Sequence, residues 1–596
     1  MLLLSLACSD YELKSPVDVG AGLDTAAFCE DSIAEDYAVP PNDNCIAAPA
    51  IGTFNPVIEW QWNANTTHPG YDDIMSTPAI GNLTDDNGDG LVNEDDIPDI
   101  VFTSFAGGAY TSAGTLTAIS GDGSGQQWSI TNGDGVGIYS SGGVAIGDLE
   151  GDGIPEVCTS AVGYSIICFE VYTQGPVFKW AAGTEPYYVG SPSFADMDGD
   201  GLSEVVFGRE IFAHDGTLLG HGDMGIARAM TFAVDMDDDG MLEVVAGNAI
   251  YEMDGTKAWF DSGTDGMTAV ADFDLDGVPE MVRVGGSVVE VLSPFKGEFG
   301  WATSVPGGGG GPPTVADFDG DGYPEVGVAA RAYYTVFDTD GAVMWSNPVS
   351  DYSSSVTGSS VFDFEGDGDS EVVYADEHTL WIFEGATGEI LMAQEGHASG
   401  TLFEYPLIAD VDKDGSTEII VASNNYTFSG WNGITVIGDA DASWFPARPT
   451  WNQMAYHISN VNDDGTIPVV QARNWESWNN FRAGGTSLGP SHWQTDVRFG
   501  DPELCTLECV DDVVVVSVPV ENTGLLDAVD VVVDFDGATQ KTLDLPSGSA
   551  KWVHGVRIER DQWEPGALRV TLDPDDALNE CYRGDNTLDL GPWPCD

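Results

Sequence analysis

In the stretch Asp317-Phe-Asp319-Gly-Asp321-Gly322-Tyr-Pro-Glu325, three carboxylates alternate with other residues. A glycine follows the third, and a fourth carboxylate comes three residues later. Alternation brings Asp317, Asp319 and Asp321 into one tight loop, and Gly322 allows the sharp turn that a bulkier residue resists. Four hard oxygen ligands converging in this way, with a backbone carbonyl from the middle of the loop, suit Ca²⁺. The apolar run after Glu325 reads as a buried strand, so the loop stands at a strand end.

A single copy would read as an Asp- and Gly-rich turn, but the pattern recurs. It returns at Asp148 (Glu150, Asp152, Glu156), Asp196 (Asp198, Asp200, Glu204) and Asp235 (Asp237, Asp239, Glu243). It returns again at Asp272 (Asp274, Asp276, Glu280), Asp363 (Glu365, Asp367, Glu371) and Asp410 (Asp412, Asp414, Glu418). An eighth version, at Asp85, Asn87, Asp89 and Gly90, carries an insertion before its terminal acid. Asp99 aligns with the terminal acids of the other loops. Asp96, at the twelfth position as in an EF-hand loop, is the alternative ligand.

The loops begin 37 to 63 residues apart. A period of roughly 40 to 50 residues in an all-β chain marks propeller blades. One unit reads as a strand entering the loop (Thr314-Val-Ala), a strand leaving it (Glu325-Val-Gly-Val-Ala), a third (Tyr333-Tyr-Thr-Val-Phe) and a fourth (Ala342-Val-Met-Trp345). The Asp340-Gly341 pair between the last two is a hairpin signal, and four strands make a blade. Tryptophans near the fourth strand, Trp128, Trp180, Trp259 and Trp345, are expected to pack between blades. The run 57–62 reads as a fourth strand standing before the first loop, whereas the last loop has no clear fourth strand after it. The N-terminal strand is therefore expected to complete the last blade and close the ring, which removes free sheet edges.

These loops, in phase with their strands over residues 55–440, resemble the FG-GAP or VCBS repeat family, found also in integrin α-subunit heads. The resemblance implies a Ca²⁺-dependent β-propeller used for adhesion or ligand binding. Eight loops favour eight blades over the seven of integrin heads. The expected fold class is all-β, a seven- or eight-bladed propeller with a C-terminal β-sandwich.

The chain opens with a short apolar run ending in Leu6-Ala7-Cys8, which resembles a bacterial lipoprotein signal with Cys8 as the lipidated residue; a charged segment before it is missing. Residues 1–8 are read as the signal remnant and 9–54 as a tether. No later stretch is long and apolar enough to cross a bilayer as a helix, so the expectation is an exported protein attached to a membrane only through lipid. There are 19 Lys and Arg against 98 Asp and Glu, a net charge of −79. Such acidity argues against nucleic acid, which needs a basic footprint, and against anionic membranes. Eight cysteines remain once Cys8 is set aside, and export permits disulfides. Cys29 and Cys45 lie in the lead-in, Cys158 and Cys168 on consecutive strands of one unit, and Cys505, Cys509, Cys581 and Cys595 toward the C-terminus. Only the hairpin pair, Cys158 with Cys168, has an evident partner.

Residues 441–500 change character: Trp444, Trp451, Trp475, Trp478 and Trp493 cluster with Asn and Arg, and Asn460, Asn462, Asp464 and Gly465 form a degenerate ninth loop. Burial of these aromatics against a face of the propeller is the favoured reading; sugar stacking is the other. From 501 to 596, alternating Val-rich strands with regular turns suggest a sandwich. The Asn522-Thr-Gly524 turn and the Asp- and Asn-rich ending resemble CARDB modules, which implies presentation or interaction.

None of the eight His lies in a nucleophile or metal motif. Asp351-Tyr-Ser353-Ser-Ser355 matches an integrin metal motif but lacks the αβ context, so chance accounts for it. The enzymatic alternative is a calcium-dependent polysaccharide lyase, with Arg228, Arg283 and Arg331 as the few cations for a uronate. A quinoprotein-like dehydrogenase is more remote. The favoured reading is a calcium-binding, non-enzymatic surface protein whose partner is a surface protein or a glycan.

Overall fold

The computed structural model describes residues 37–42, 45, 54–486 apart from 226 and 298, 494–500, 505–510, 512–562, 568–590 apart from 575, 576 and 579, and 593. Cys8, Cys29, Cys595 and Trp493 lie outside the described residues, as does the signal segment. The chain divides into two compact units, Pro49–Ser491 and a second one combining Met1–Ala48 with His492–Asp596. Both are almost entirely β.

Among the described residues, the larger unit holds eight four-stranded antiparallel sheets. Seven are built from consecutive strands; Thr314–Ala316, Glu325–Ala329, Tyr333–Phe337 and Val343–Pro348 form one of them. In the eighth, Leu407–Ala409, Glu418–Ser423 and Gly433–Asp439 take their fourth strand from the N-terminal Pro56–Trp62. The expected N-terminal completion is thus observed, with Trp60 paired to Val436 and Trp62 to Ile434. First and second strands are buried on both faces, while fourth strands are mostly half-buried or exposed.

Four of the sheets are keyed to a neighbour by a tryptophan. Trp180, Trp301 and Trp345 donate their indole N–H to the carbonyls of His214, Thr339 and Gly385 at 2.6 to 2.7 Å. The rings lie on turn glycines, Gly216, Gly341 and Gly388, where a Cβ would come within 2.6 Å of the indole. Glycine is required there by close approach as well as by positive φ. Trp60, on the strand that completes the eighth sheet, covers Gly123 of the first in the same manner. Of the tryptophans expected in this role, Trp180 and Trp345 fill it, and Trp301 joins them.

The first strand of each sheet is an inner edge whose outward N–H groups need partners. Residues 441–486 supply them. Ile80 and Trp451 exchange both backbone bonds, at 2.9 and 3.0 Å, and Val315 and Phe481 do the same at 3.0 and 2.8 Å. Ile146 donates to the Asn452 carbonyl, Phe194 to the Gln453 side chain, Asp272 to the Asn479 side chain and Val361 to the Arg482 carbonyl. The expectation that this segment packs on the repeats is met in a more specific form: it crosses their inner edges. Trp451, Tyr456 and Arg482 are fully buried along it. Arg482 donates to the carbonyls of Thr268 and Pro313, from two different sheets.

The smaller unit has two sheets around one apolar core. One holds Tyr37–Ala38, Ser549–Glu559, Val513–Asn522, Val497–Phe499 and Cys505–Val510; the other holds Gln540–Leu545, Ala528–Phe535, Arg569–Leu572 and Thr587–Asp589. Val514, Val516, Val518 and Val520 face Val531, Val533 and Phe535 across it. Residues 37–42 and 45, expected within a tether, belong to this unit instead. Tyr37 pairs with Ala550, and Cys45 is bonded to Cys581. Cys158 and Cys168 are bonded across their hairpin as expected.

Trp451→Ala should cost about 3–5 kcal/mol of stability, read by chemical denaturation, because the ring is fully buried where inner edges meet the crossing segment. A cost below about 1 kcal/mol would contradict that placement.

Candidate metal centres

Every second strand begins at the terminal acid of its loop: Asp99, Glu156, Glu204, Glu243, Glu280, Glu325, Glu371 and Glu418. The apolar strand therefore drags this carboxylate into the protein, and in the seven close copies Glu is at most 5% exposed. One oxygen of each glutamate accepts the backbone N–H of the residue after the first Asp. The donors are Leu149, Met197, Met236, Phe273, Phe318, Phe364 and Val411, at 2.7 to 3.0 Å. The first Asp folds the loop around itself. Its Oδ2 accepts the N–H of the glycine five residues on, as in Asp317 to Gly322 at 2.8 Å and Asp148 to Gly153 at 2.7 Å. That glycine has φ near +90° (82° at Gly153, 91° at Gly322), and a Cβ would meet nothing within 4 Å. Backbone conformation, not space, selects glycine there.

The result is convergence. Ligand oxygens of Asp317, Asp319, Asp321 and Glu325 lie within 4.8 Å of one another. The same holds for Asp148, Glu150 and Glu156; for Asp196, Asp198 and Glu204; for Asp235, Asp237 and Asp239; and for Asp272, Asp274 and Asp276. Asp152, Asp200, Asp239, Asp276, Asp321, Asp367 and Asp414 each accept the N–H two residues on, which fixes the turn. In the Asp363 loop burial, reinforced by Glu365 and Asp363, raises Glu371, and in the Asp410 loop burial, reinforced by Asp410 and Asp412, raises Glu418.

These sites fit a hard divalent cation. Glu243 and Glu418 each keep a buried Oε1, and Asp410 a buried Oδ1, with no hydrogen-bond partner. Burial, reinforced by neighbouring loop carboxylates, pushes Glu325 from its ordinary 4.5 up to about 8 and Glu371 up to about 9. Glu156 and Glu243 rise to about 8, and Glu204 and Glu280 to about 7, with burial again the first cause. Crowded like charges in a desolvated site favour the protonated form, and a divalent cation is the alternative counter-charge.

The loops are not equivalent, and the differences come from residues the repeat pattern hides. Lys179, from the fourth strand of its sheet, reaches Glu156 at 2.9 Å and also bonds Glu150, placing an ammonium beside the Asp148 loop. Arg473, from the crossing segment, bonds Asp235 at 3.0 Å and also Asp238. Lys296 reaches Asp276 at 2.7 Å. Glu59, on the N-terminal strand, is pushed up to about 7 by burial and by Asp412 and Asp414, which brings another carboxylate to the Asp410 loop. No spacing rule marks these four side chains; only the sheet register brings them in.

The Asp85 loop departs from expectation. Asp85 accepts from Gly88 and Gly90 at 2.8 and 2.9 Å, as a first ligand does elsewhere. The carboxylate that closes this loop is Asp96, which accepts from Asp86, Asn87 and Asn93 at 2.9, 3.3 and 3.0 Å. Asp99 instead accepts the N–H of Leu83 at 3.2 Å. The assignment of Asp99 to the Asp85 set is thus corrected to Asp96: the inserted residues form a self-contained turn and leave Asp99 behind. The degenerate ninth loop is a plain hairpin turn, with Gly465 donating to Asn462 and the Asn460 side chain turned inward to Asn452. Asp351 is buried and already engaged by Ser354, Thr357 and Thr401. Of the three arginines considered for a uronate, Arg283 is buried between Asp261 and Glu290, and Arg331 lies over Tyr352.

No protein-family model and no curated protein matches the chain. Among solved structures, the V. cholerae biofilm matrix protein Bap1 superposes with a TM-score of 0.66 at 21% identity, covering 73% of this chain and 99% of that one. This shows a shared all-β fold. The exotype rhamnogalacturonan lyase YesX (TM-score 0.43, 15% identity, 64% and 75% covered) and the Bacillus licheniformis rhamnogalacturonan lyase PL11 (0.44, 14%, 73% and 82%) resemble it too distantly to bear on function. Among the described residues no helix is long and apolar enough to cross a membrane.

The raised glutamates set a pH test. Without metal, the folded protein holds protons that the unfolded chain has released above pH 4.5, so this stabilisation is full below that value and lost as pH rises through about 8. In chelator, the melting temperature should fall between about pH 5 and pH 8.5 by scanning calorimetry; in calcium the fall should vanish. A melting temperature that climbs across this window in chelator would contradict the reading.

Proposed function

We propose that this chain is a calcium-stabilised, eight-bladed β-propeller protein with a C-terminal sandwich, exported and lipid-anchored through Cys8, that works without catalysis as an adhesion or ligand-binding component of an extracellular surface or matrix. The observation that carries the reading is the loop repeated at the start of every second strand, with its buried glutamate and converging aspartates. The eight sheets are its blades, and the contact of Trp60 with Gly123 joins the last blade to the first. In each of the seven close copies Ca²⁺ would be held by the first three acidic positions and the terminal glutamate, and in the eighth by Asp85, Asn87, Asp89 and Asp96, supplying the counter-charge that lets the carboxylates ionise together. Loops at the opposite strand ends are left free to meet a partner. Two bonded cysteine pairs suit an oxidising compartment.

That Bap1 is a biofilm matrix protein is in keeping with this reading. A lyase reading is weakened by the charge of −79, which repels a polyuronate, and by the engagement of Arg283 with two carboxylates. The partner is taken to be a surface protein or a glycan without strong negative charge.

Incubation of the protein in calcium with neutral and acidic glycans, followed by ultraviolet absorbance of unsaturated sugar ends and by retention on immobilised glycan and on cells, tests this directly. A flat trace with calcium-dependent retention on a glycan or cell surface is expected. Rising absorbance with any substrate would make the protein a lyase and overturn the proposal.

A further inference from the structure

The first sheet has a loop unlike the other seven, and its hydrogen bonds separate it into two interleaved sets. In the seven, the terminal acid accepts the N–H of the residue after the first ligand. In the first sheet one such bond runs from Leu83 to Asp99, the acid that opens the second strand, and another from Asp86 to Asp96 within the turn. The residue in the first-ligand place is therefore Asn82, the third-place residue is Thr84 and the fifth-place residue is Asp86. The set Asp85, Asn87, Asp89 and Asp96 is offset from this frame and closes on itself through Asp96.

The Asn82 frame is built for an oxygen-seeking ion. Thr84 Oγ1 donates to Asp86 and to Asp99, both at 3.1 Å, and so draws two carboxylates to one hydroxyl. Asp99 is 0% exposed and Asn82 is 7% exposed. Asp99 keeps one oxygen, and Asn82 its amide oxygen, buried with no donor to meet them. Leaving buried acceptors unmet costs about 1–3 kcal/mol each, and both belong to residues that stand where the other loops place ligands. The Asn82 amide N–H is spent on the Asn93 carbonyl, which ties the two frames together.

We infer that the first sheet holds two divalent cations: one in the Asp85, Asn87, Asp89, Asp96 turn, and a second held by Asn82, Asp86 and Asp99 beside Thr84. This rests on the calcium reading proposed above, and goes beyond it by adding a second site in the repeat's own frame, with Asn82 and Thr84 in place of its first two acids. The consecutive residues Asp85 and Asp86 thus belong to different sets.

The test is calcium content of the full-length protein after equilibrium dialysis, for the unchanged chain, Asp86→Ala, Asp89→Ala and the double variant. Asp86 and Asp89 are exposed, so neither change disturbs the core; a thermal melt of each preparation checks this. Each single variant should lose one equivalent, and the double variant two. Asp99→Asn should reproduce the loss seen with Asp86→Ala. Loss of the same single equivalent in all variants, or no loss with Asp86→Ala, would overturn the second site while leaving the seven repeated loops standing. Absence of bound calcium from the unchanged chain would overturn both readings.

Discussion

The larger unit depends on forcing like charges together at the end of a buried strand. Each second strand is apolar and buried, and begins with a carboxylate; burying the strand buries the carboxylate. Two unit charges about 4 Å apart repel by roughly 4 kcal/mol at an effective dielectric near 20, and the Asp148, Asp196, Asp235, Asp272 and Asp317 loops have three or four carboxylates within 4.8 Å. Backbone N–H groups offset part of this: the first Asp and the terminal Glu of the Asp317 loop take four such bonds from Phe318, Gly320, Asp321 and Gly322. What remains is met by protons, by the occasional Lys179 or Arg473, or by a bound cation.

The same geometry explains the sheet ends. A loop tightened around a central charge fixes the spacing of the first two strands, so the first strand is held short, only three residues in Ser193–Ala195, Thr314–Ala316 and Leu407–Ala409. Short inner edges need outside partners, and residues 441–486 provide them through backbone bonds at Trp451 and Phe481 and through Arg482. The acidic loops order each sheet individually through their backbone bonds; the crossing segment and the tryptophan-on-glycine contacts order the sheets with respect to one another.

Much of this was legible in the sequence because it is periodic. The Asp-Gly loops, the four strands per unit and the early strand at 57–62 all follow from local spacing, and the sheets carry them. What was not legible is what periodicity hides. An insertion between Asp86 and Asp99 shifts the apparent register, so that spacing groups Asp99 with Asp85, whereas Asp99 accepts from Leu83 and Asp96 closes the Asp85 turn. Lys179, Lys296, Arg473 and Glu59 reach the loops from other strands or segments, and their neighbours in sequence give no hint of it. Cys45 bonds Cys581 because residues 37–38 pair with the strand Ser549–Glu559, a contact spanning most of the chain. The aromatic segment 441–486 showed its burial by composition but not its path.

The most direct measurement is the melting temperature of the full-length protein at neutral pH as free calcium is raised from chelated levels. If the loops hold calcium in the folded state alone, the transition should climb steadily with the logarithm of calcium concentration, by mass action at several sites, and magnesium should be a poor substitute because it demands tighter octahedral geometry. A transition that stays in place from chelator to excess calcium would contradict the account, and the buried glutamates would then have to be stabilised by protons alone.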